Sequence, residues 1–196
     1  VNLQPTPRVL RPLEAAAGVL VHTAADRRLA AEHWLLSTLP DTGARDRARK
    51  GWKDDGVALL PLGGLFSAVR IPARFILAIT GGRSPSGEVD AILDEVLEGG
   101  PVICDPGSWY YALVPASMPR TWRQAASEWQ PLDVGCLGRE SYLGVPRLDV
   151  TAYDPATRTY WSVPMSSAAT LCAPLAVARL IAAGAHQLAE EAGLDA

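Results

Sequence analysis

The sequence predicts an α+β domain, with mixed or antiparallel sheets flanked by helices. Three observations predict it. The stretch "GEVDAILDEVLE" at 87–98 sets Val89, Ile92, Leu93, Val96 and Leu97 on one helical face. "WYYALVP" at 109–115 follows the turn "DPGS" and reads with a strand period of two. Short apolar runs punctuated by Gly and Pro, such as "GVALLPLGGLFSAVRIP", give further strands. A chain of 196 residues fits one domain, 1–196. At that length roughly 70% of the unfolded surface can be buried, so no metal or disulfide staple is needed.

The elements follow in order. Residues 1–11, with Pro5 and Pro7, read as a loosely attached lead-in that continues to Pro12. "TAAD" at 23–26 is a capping box, since the Thr23 hydroxyl can accept from a free backbone N–H at a helix start. Leu29, His33 and Leu36 continue that helix toward Pro40. Residues 40–56 mix both charge signs without an apolar stripe and read as a solvated connection. Val57–Leu60 and Leu65–Ile71 flank Pro61, Gly63 and Gly64, which predicts a hairpin. Pro72 then opens a helix over "ARFILAIT", because its missing N–H costs nothing at a first helical position. "GGRSPSG" at 81–87 is a connector. It lacks the GxxxxGK[ST] pattern and the preceding strand of a phosphate-cradling loop.

"PVIC" is a short strand, and "WYYALVP" a central one. Alternation puts Trp109, Tyr111 and Leu113 on one face, and Tyr110, Ala112 and Val114 on the other. Both faces are apolar, so the strand is covered on both sides, with at most one face turned to a cleft. "PRTWRQAASEW" is a short helix, "SYLGVP" and "TYWSVP" are strands, and 174–192 is an alanine-rich helix with Leu175, Leu180, Ile181, Ala185 and Leu188 along one stripe.

Composition removes several function classes. A net charge of -3 argues against a protein that coats nucleic acid generally, though not against a local basic groove. Cys104, Cys136 and Cys172 form no CxxC and read as reduced thiols. The N-terminal stretch has no basic segment followed by a clean apolar run, and no run approaches the ~18 apolar residues that span a bilayer. A cytoplasmic protein without membrane association is expected. His22, His33 and His186 are scattered, with no HExxH, so no metal site is expected. There is no GxSxG and no strand with D-x-D, and Asp105 reads as a turn residue. No catalytic residue and no cofactor are assigned.

The order of "GVALLPLGGLFSAVRIP", "PGSWYYALVP" and "CLGRESYLGVPRLDVTAYDPATRTYWSVP" resembles the primase–polymerase domain of the archaeo-eukaryotic primase superfamily, in its bifunctional, actinobacterial type. The resemblance covers residues 50–165. It implies two small α+β halves around a cleft. At the position of the family's paired acids this chain has "SAVRIP", with Arg70 between Val69 and Ile71. At the position of its nucleotide-contacting histidine stand Ser108 and Trp109. The resemblance therefore implies the fold without the two-metal chemistry that those acids support.

The resulting expectation is a non-catalytic binding protein. Its cleft would be lined by Arg70, Trp109, Tyr111 and Arg139, and its partner would be a nucleotide, a nucleic-acid end or a protein. With the family acids gone, a phosphate would rest on arginine alone. Two alternatives stand beside it. One is an enzyme of unrecognised type, built on the Cys104 or Cys136 thiol or on scattered acids brought together by folding; a depressed thiol pKa would support it. The other is an assembly protein acting through the Trp-rich 109–129 region.

Overall fold

The computed structural model describes residues 13–16, 19–155 and 159–194, and side chains within 22–155 and 159–193. The predicted lead-in at 1–11 lies outside them. In chain order the strands are β1 (Leu13–Ala16), β2 (Val19–Val21), β3 (Val57–Pro61), β4 (Phe66–Pro72), β5 (Val102–Asp105), β6 (Trp109–Pro115), β7 (Gly135–Leu137), β8 (Tyr142–Pro146) and β9 (Tyr160–Val163). The helices are α1 (Ala24–Leu36), α2 (Thr42–Asp54), α3 (Ala73–Thr80), α4 (Gly87–Val96), α5 (Met118–Thr121), α6 (Arg123–Trp129) and α7 (Pro174–Leu194). A 3-10 turn, Gln130–Leu132, follows α6. The α+β expectation holds.

The centre is a five-stranded antiparallel sheet in the order β7-β4-β6-β5-β9. Its two faces carry two separate cores, as the alternation along β6 requires. Tyr110, Ala112 and Val114 face a layer containing α3, α4 and α7. Leu113 faces the other way, into a cluster with Leu35 and Leu36 of α1, Trp52 of α2, Leu60 of β3 and Val145 of β8. The strand is thus covered on both sides, as predicted.

The second layer is where the sequence reading needs correction. β3 and β4 do not form a hairpin. β3 pairs antiparallel with β8, while β4 pairs with β6 and β7. The turn at Gly63 and Gly64 carries the chain from one layer into the other. Residues 42–54, read as a solvated connection, form α2, with the Asp41 side chain capping the N–H of Ala44 at 2.7 Å. Its buried seam is Ala48 and Trp52, two residues one turn apart, too narrow a stripe for periodicity to register. β7 also escaped prediction, and the helix read over 119–129 is broken at Trp122 into α5 and α6. Pro72 ends β4 and caps α3 instead of opening it.

Two indoles fasten the layers together at β8. Trp52 Nε1 donates to the Val145 carbonyl at 2.9 Å, and Trp161 Nε1 donates to the Pro146 carbonyl at 3.1 Å. On the other side of the sheet α7 lies close to α3, because Gly184 meets Phe75: a Cβ there would come within 2.9 Å of the Phe75 side chain. The predicted α7 stripe is right at Leu180 and Ile181, whereas Leu175 is exposed. No helix among the described residues is long and apolar enough to cross a membrane.

Candidate functional site

Where the β3–β8 layer stops short of the Trp109 end of the sheet, a pocket of about 770 Å³ opens. That volume lies within the ~300–1,000 Å³ range of small-molecule sites. Register explains which side chains reach it. Arg70 of β4 stands opposite Tyr111 of β6 and opposite Gly135 of β7, and Asp105 of β5 stands opposite Trp109. All four side chains therefore leave the sheet on the face that carries Leu113. Arg70, Asp105, Tyr111 and Thr159 form one wall, and Asp55, Tyr142 and Gly144 contribute to the opposite one.

Arg70 is the fixed point. Its guanidinium carbon lies 4.2 Å from the centroid of the Trp109 ring, a cation–π contact worth about 0.5–2 kcal/mol. The guanidinium lies beside Gly135 of β7: a Cβ there would make ordinary contact, 3.8 Å from Nε and from one terminal nitrogen. Arg70 Nε is buried and donates to no protein acceptor. Among the described residues no carboxylate comes within ion-pair distance of the guanidinium. A partly buried cation without a counter-charge is costly unless something else supplies one.

The acids of the pocket are those the sequence reading treated as turn and linker residues. Asp105 was assigned to a turn, and the turn exists, but the Asp105 backbone carbonyl closes it by accepting from the Ser108 N–H at 3.2 Å. The carboxylate is left to face the pocket, where burial pushes its pKa up. Parity along β5 carried the signal: Ile103 and Asp105 share the face opposite to Val102 and Cys104. Asp55 ends α2 at the far wall. The expectation of a cleft relieved of acids is therefore corrected. The Tyr111 hydroxyl is raised by burial first and by Asp105 second, with Arg70 opposing, so it stays a neutral phenol between the two charges.

Of the four residues nominated from sequence, three come together. Arg70 and Tyr111 line the pocket, and Trp109 is the plate beneath Arg70. Arg139 does not join them. It lies exposed after β7, its backbone packed against Gly63, because the chain leaves β7 toward the β3–β4 connection. Trp109 is half-buried, neither a core residue nor an open platform. Trp109→Ala is expected to cost about 1–3 kcal/mol, below the ~3–5 of a fully buried aromatic. Urea unfolding would measure it, and a loss within that core range would place Trp109 with the core instead.

The thiols offer no nucleophile. Burial pushes Cys104 and Cys172 up to about 12, and Cys136 is raised by burial as well. This is opposite to what a cysteine enzyme requires. His33 is exposed, and His186 lies 3.4 Å from Glu190 on the surface. No three His, Cys, Asp or Glu side chains converge to hold a metal among the described residues.

On the opposite face of the sheet Asp90 of α4 accepts from Tyr160 Oη at 3.0 Å and from Ser162 Oγ, tying α4 to β9. Burial outweighs these two donors and raises its pKa. A raised folded value means that the stabilising contribution is complete below the unfolded pKa of about 3.9 and is lost as pH rises through the folded value. Asp90→Asn should remove that decline. Urea melts of both proteins between pH 4 and 7 would run parallel if Asp90 does not carry it.

Compared with known proteins, the chain matches no family model, no curated protein and no solved structure.

Proposed function

We propose that this chain is a binding protein on a primase–polymerase-like plan without the catalytic acids, and that its pocket holds a nucleotide-sized anionic ligand. The observation that carries the reading is Arg70: a guanidinium against Trp109, with no ion-pair partner among the described residues, at the wall of a 770 Å³ pocket. An anionic oxygen is the partner that satisfies such a group best, through charge-assisted hydrogen bonds. Tyr111 and Tyr142 supply aromatic surface in the same pocket, which suits a flat base. Asp55 and Asp105 accept from hydroxyl or amino donors. The two carboxylates and the net charge of -3 favour a single nucleotide over a strand of nucleic acid.

A thermal-shift series with ribonucleotides, with and without Mg²⁺, tests the reading. A ligand at 100 times its Kd adds about 2.7 kcal/mol, a rise in Tm of roughly 5–10 °C for a domain of this size. Arg70→Gln should abolish the shift while changing stability by no more than about 1–2 kcal/mol, the worth of its contact with Trp109. An undiminished shift in that variant removes Arg70, and with it this pocket, from the function.

A protein partner is the second reading, favoured by one observation. Leu59 and Tyr142 are 68% and 67% exposed; they share the face of the β3–β8 pair opposite to Leu60 and Leu143, and Tyr142 also borders the pocket at its rim. The region nominated for this role from sequence, 109–129, is instead half-buried at Trp109 and Trp122 and buried at Trp129. Leu59→Asp would disrupt such a contact while leaving Arg70, Trp109 and Tyr111 in place.

A further inference from the structure

We infer that the pocket, if it holds a nucleotide as proposed above, selects the monophosphate over the di- and triphosphate and binds it without a divalent metal. The inference rests on that reading and on the balance of charge around Arg70. Among the described residues that line the pocket, Arg70 is the single cation, and Asp55 and Asp105 are two anions on opposite walls. One negative group placed on Arg70 meets the only positive charge. Every further phosphate must extend past Arg70 into a space bounded by carboxylates, where like charges repel.

A metal ion would ordinarily relieve that repulsion by bridging phosphates to protein acids. Here the donor set does not favour it. Asp55 closes α2 and Asp105 closes β5, in different layers, and no third His, Cys, Asp or Glu joins them to complete a cluster among the described residues. Neither carboxylate has an ion-pair partner within 4 Å among the described residues. Both remain available as acceptors for a neutral donor, such as the vicinal hydroxyls of a ribose. Arg70 itself lies against the Trp109 ring, 4.2 Å from its centroid, and its Nε is buried, so it addresses only phosphates within reach of its terminal nitrogens.

The test is titration calorimetry on the whole chain with the four ribonucleoside monophosphates, the four triphosphates and a 2′-deoxy monophosphate, each with Mg²⁺ and with EDTA. The expected result is a monophosphate that binds at least about fivefold more tightly than its triphosphate, equally well in Mg²⁺ and in EDTA. Asp105→Asn and Asp55→Asn should each narrow that preference, because the repelling charge is gone while the side-chain shape is kept. A triphosphate that binds more tightly, or binding that needs the metal, overturns the inference and leaves nucleotide binding intact. A preference unmoved by either Asn variant overturns its electrostatic basis. No binding by any of the nine compounds removes both this inference and the reading beneath it.

Discussion

Trp161→Ala is expected to lower stability by about 3–5 kcal/mol, the range for truncating a fully buried aromatic. For a domain of this size that is roughly 6–20 °C in Tm. Trp161 is completely buried, and it sits on β9 at the edge of the sheet, facing the core that joins the sheet to α1, α2, β3 and β8. Its indole N–H also reaches the Pro146 carbonyl, so truncation removes a cross-layer hydrogen bond along with the packing. Trp161→Phe keeps most of the volume and should cost distinctly less. Equal losses in the two variants would assign the effect to the hydrogen bond and not to the cavity. The pocket depends on the same closure of layers, so ligand affinity should fall in the alanine variant.

Gly63→Ala is the second large effect, at about 2–4 kcal/mol. Gly63 has φ 82°, a conformation that costs an L-residue about 1–2 kcal/mol. Its N–H donates to the Phe66 carbonyl at 2.7 Å, which closes the turn that leads into β4. A Cβ there would lie 2.5 Å from the Arg139 amide nitrogen and 2.6 Å from its Cγ. Relief requires the backbone after β7 to move, adding an overpacking cost of about 1–3 kcal/mol. The neighbouring Gly64→Ala, with open space around it, is the control and should change little. Chemical denaturation of the pair checks the contrast, and similar losses would point to chain flexibility instead of contact.

What was legible in the sequence follows from the range of each signal. Faces of single elements were readable. The parity of β6, the Val89–Leu93–Leu97 stripe of α4 and the Thr23–Asp26 capping box are all set within a few residues, and all are present. Val96, placed on the α4 stripe, is exposed at the helix end. Pairing between elements was not readable. Val57–Leu60 and Leu65–Ile71 are neighbours in the chain with turn residues between them, the local signature of a hairpin. Yet a tertiary choice sends them to different partners. The site shows the same division. Arg70 was found at the position where the resembled family carries its acids, and Trp109 and Tyr111 as aromatics sharing one face of a strand. Asp105 was passed over because an aspartate before proline has a sufficient local explanation in turn formation, and Asp55 because it lies in the charged stretch 40–56 that reads as a solvated connection. Only the register of β5 against β6, and the approach of α2 to the far wall, show where those carboxylates point. Arg139 was expected to reach the cleft as a strand residue, and the path of the chain after β7 takes it elsewhere.

The exchange of partners between β3 and β4 also sets an order of assembly. The β4–β6 and β5–β6 pairs join segments that are close along the chain, and α3 and α4 fill the connection between them. The β3–β8 pair encloses nearly the whole central sheet within its loop. Loop-closure entropy delays such a contact, and contacts of long sequence separation slow folding. The β4–β6 and β5–β6 pairs thus precede the pocket, which waits, like the docking of α7 on α3 across a still longer separation, on contacts between distant segments. A ligand of the kind proposed for this pocket would bind only after that closure and, by mass action, would hold the β3–β8 wall in place.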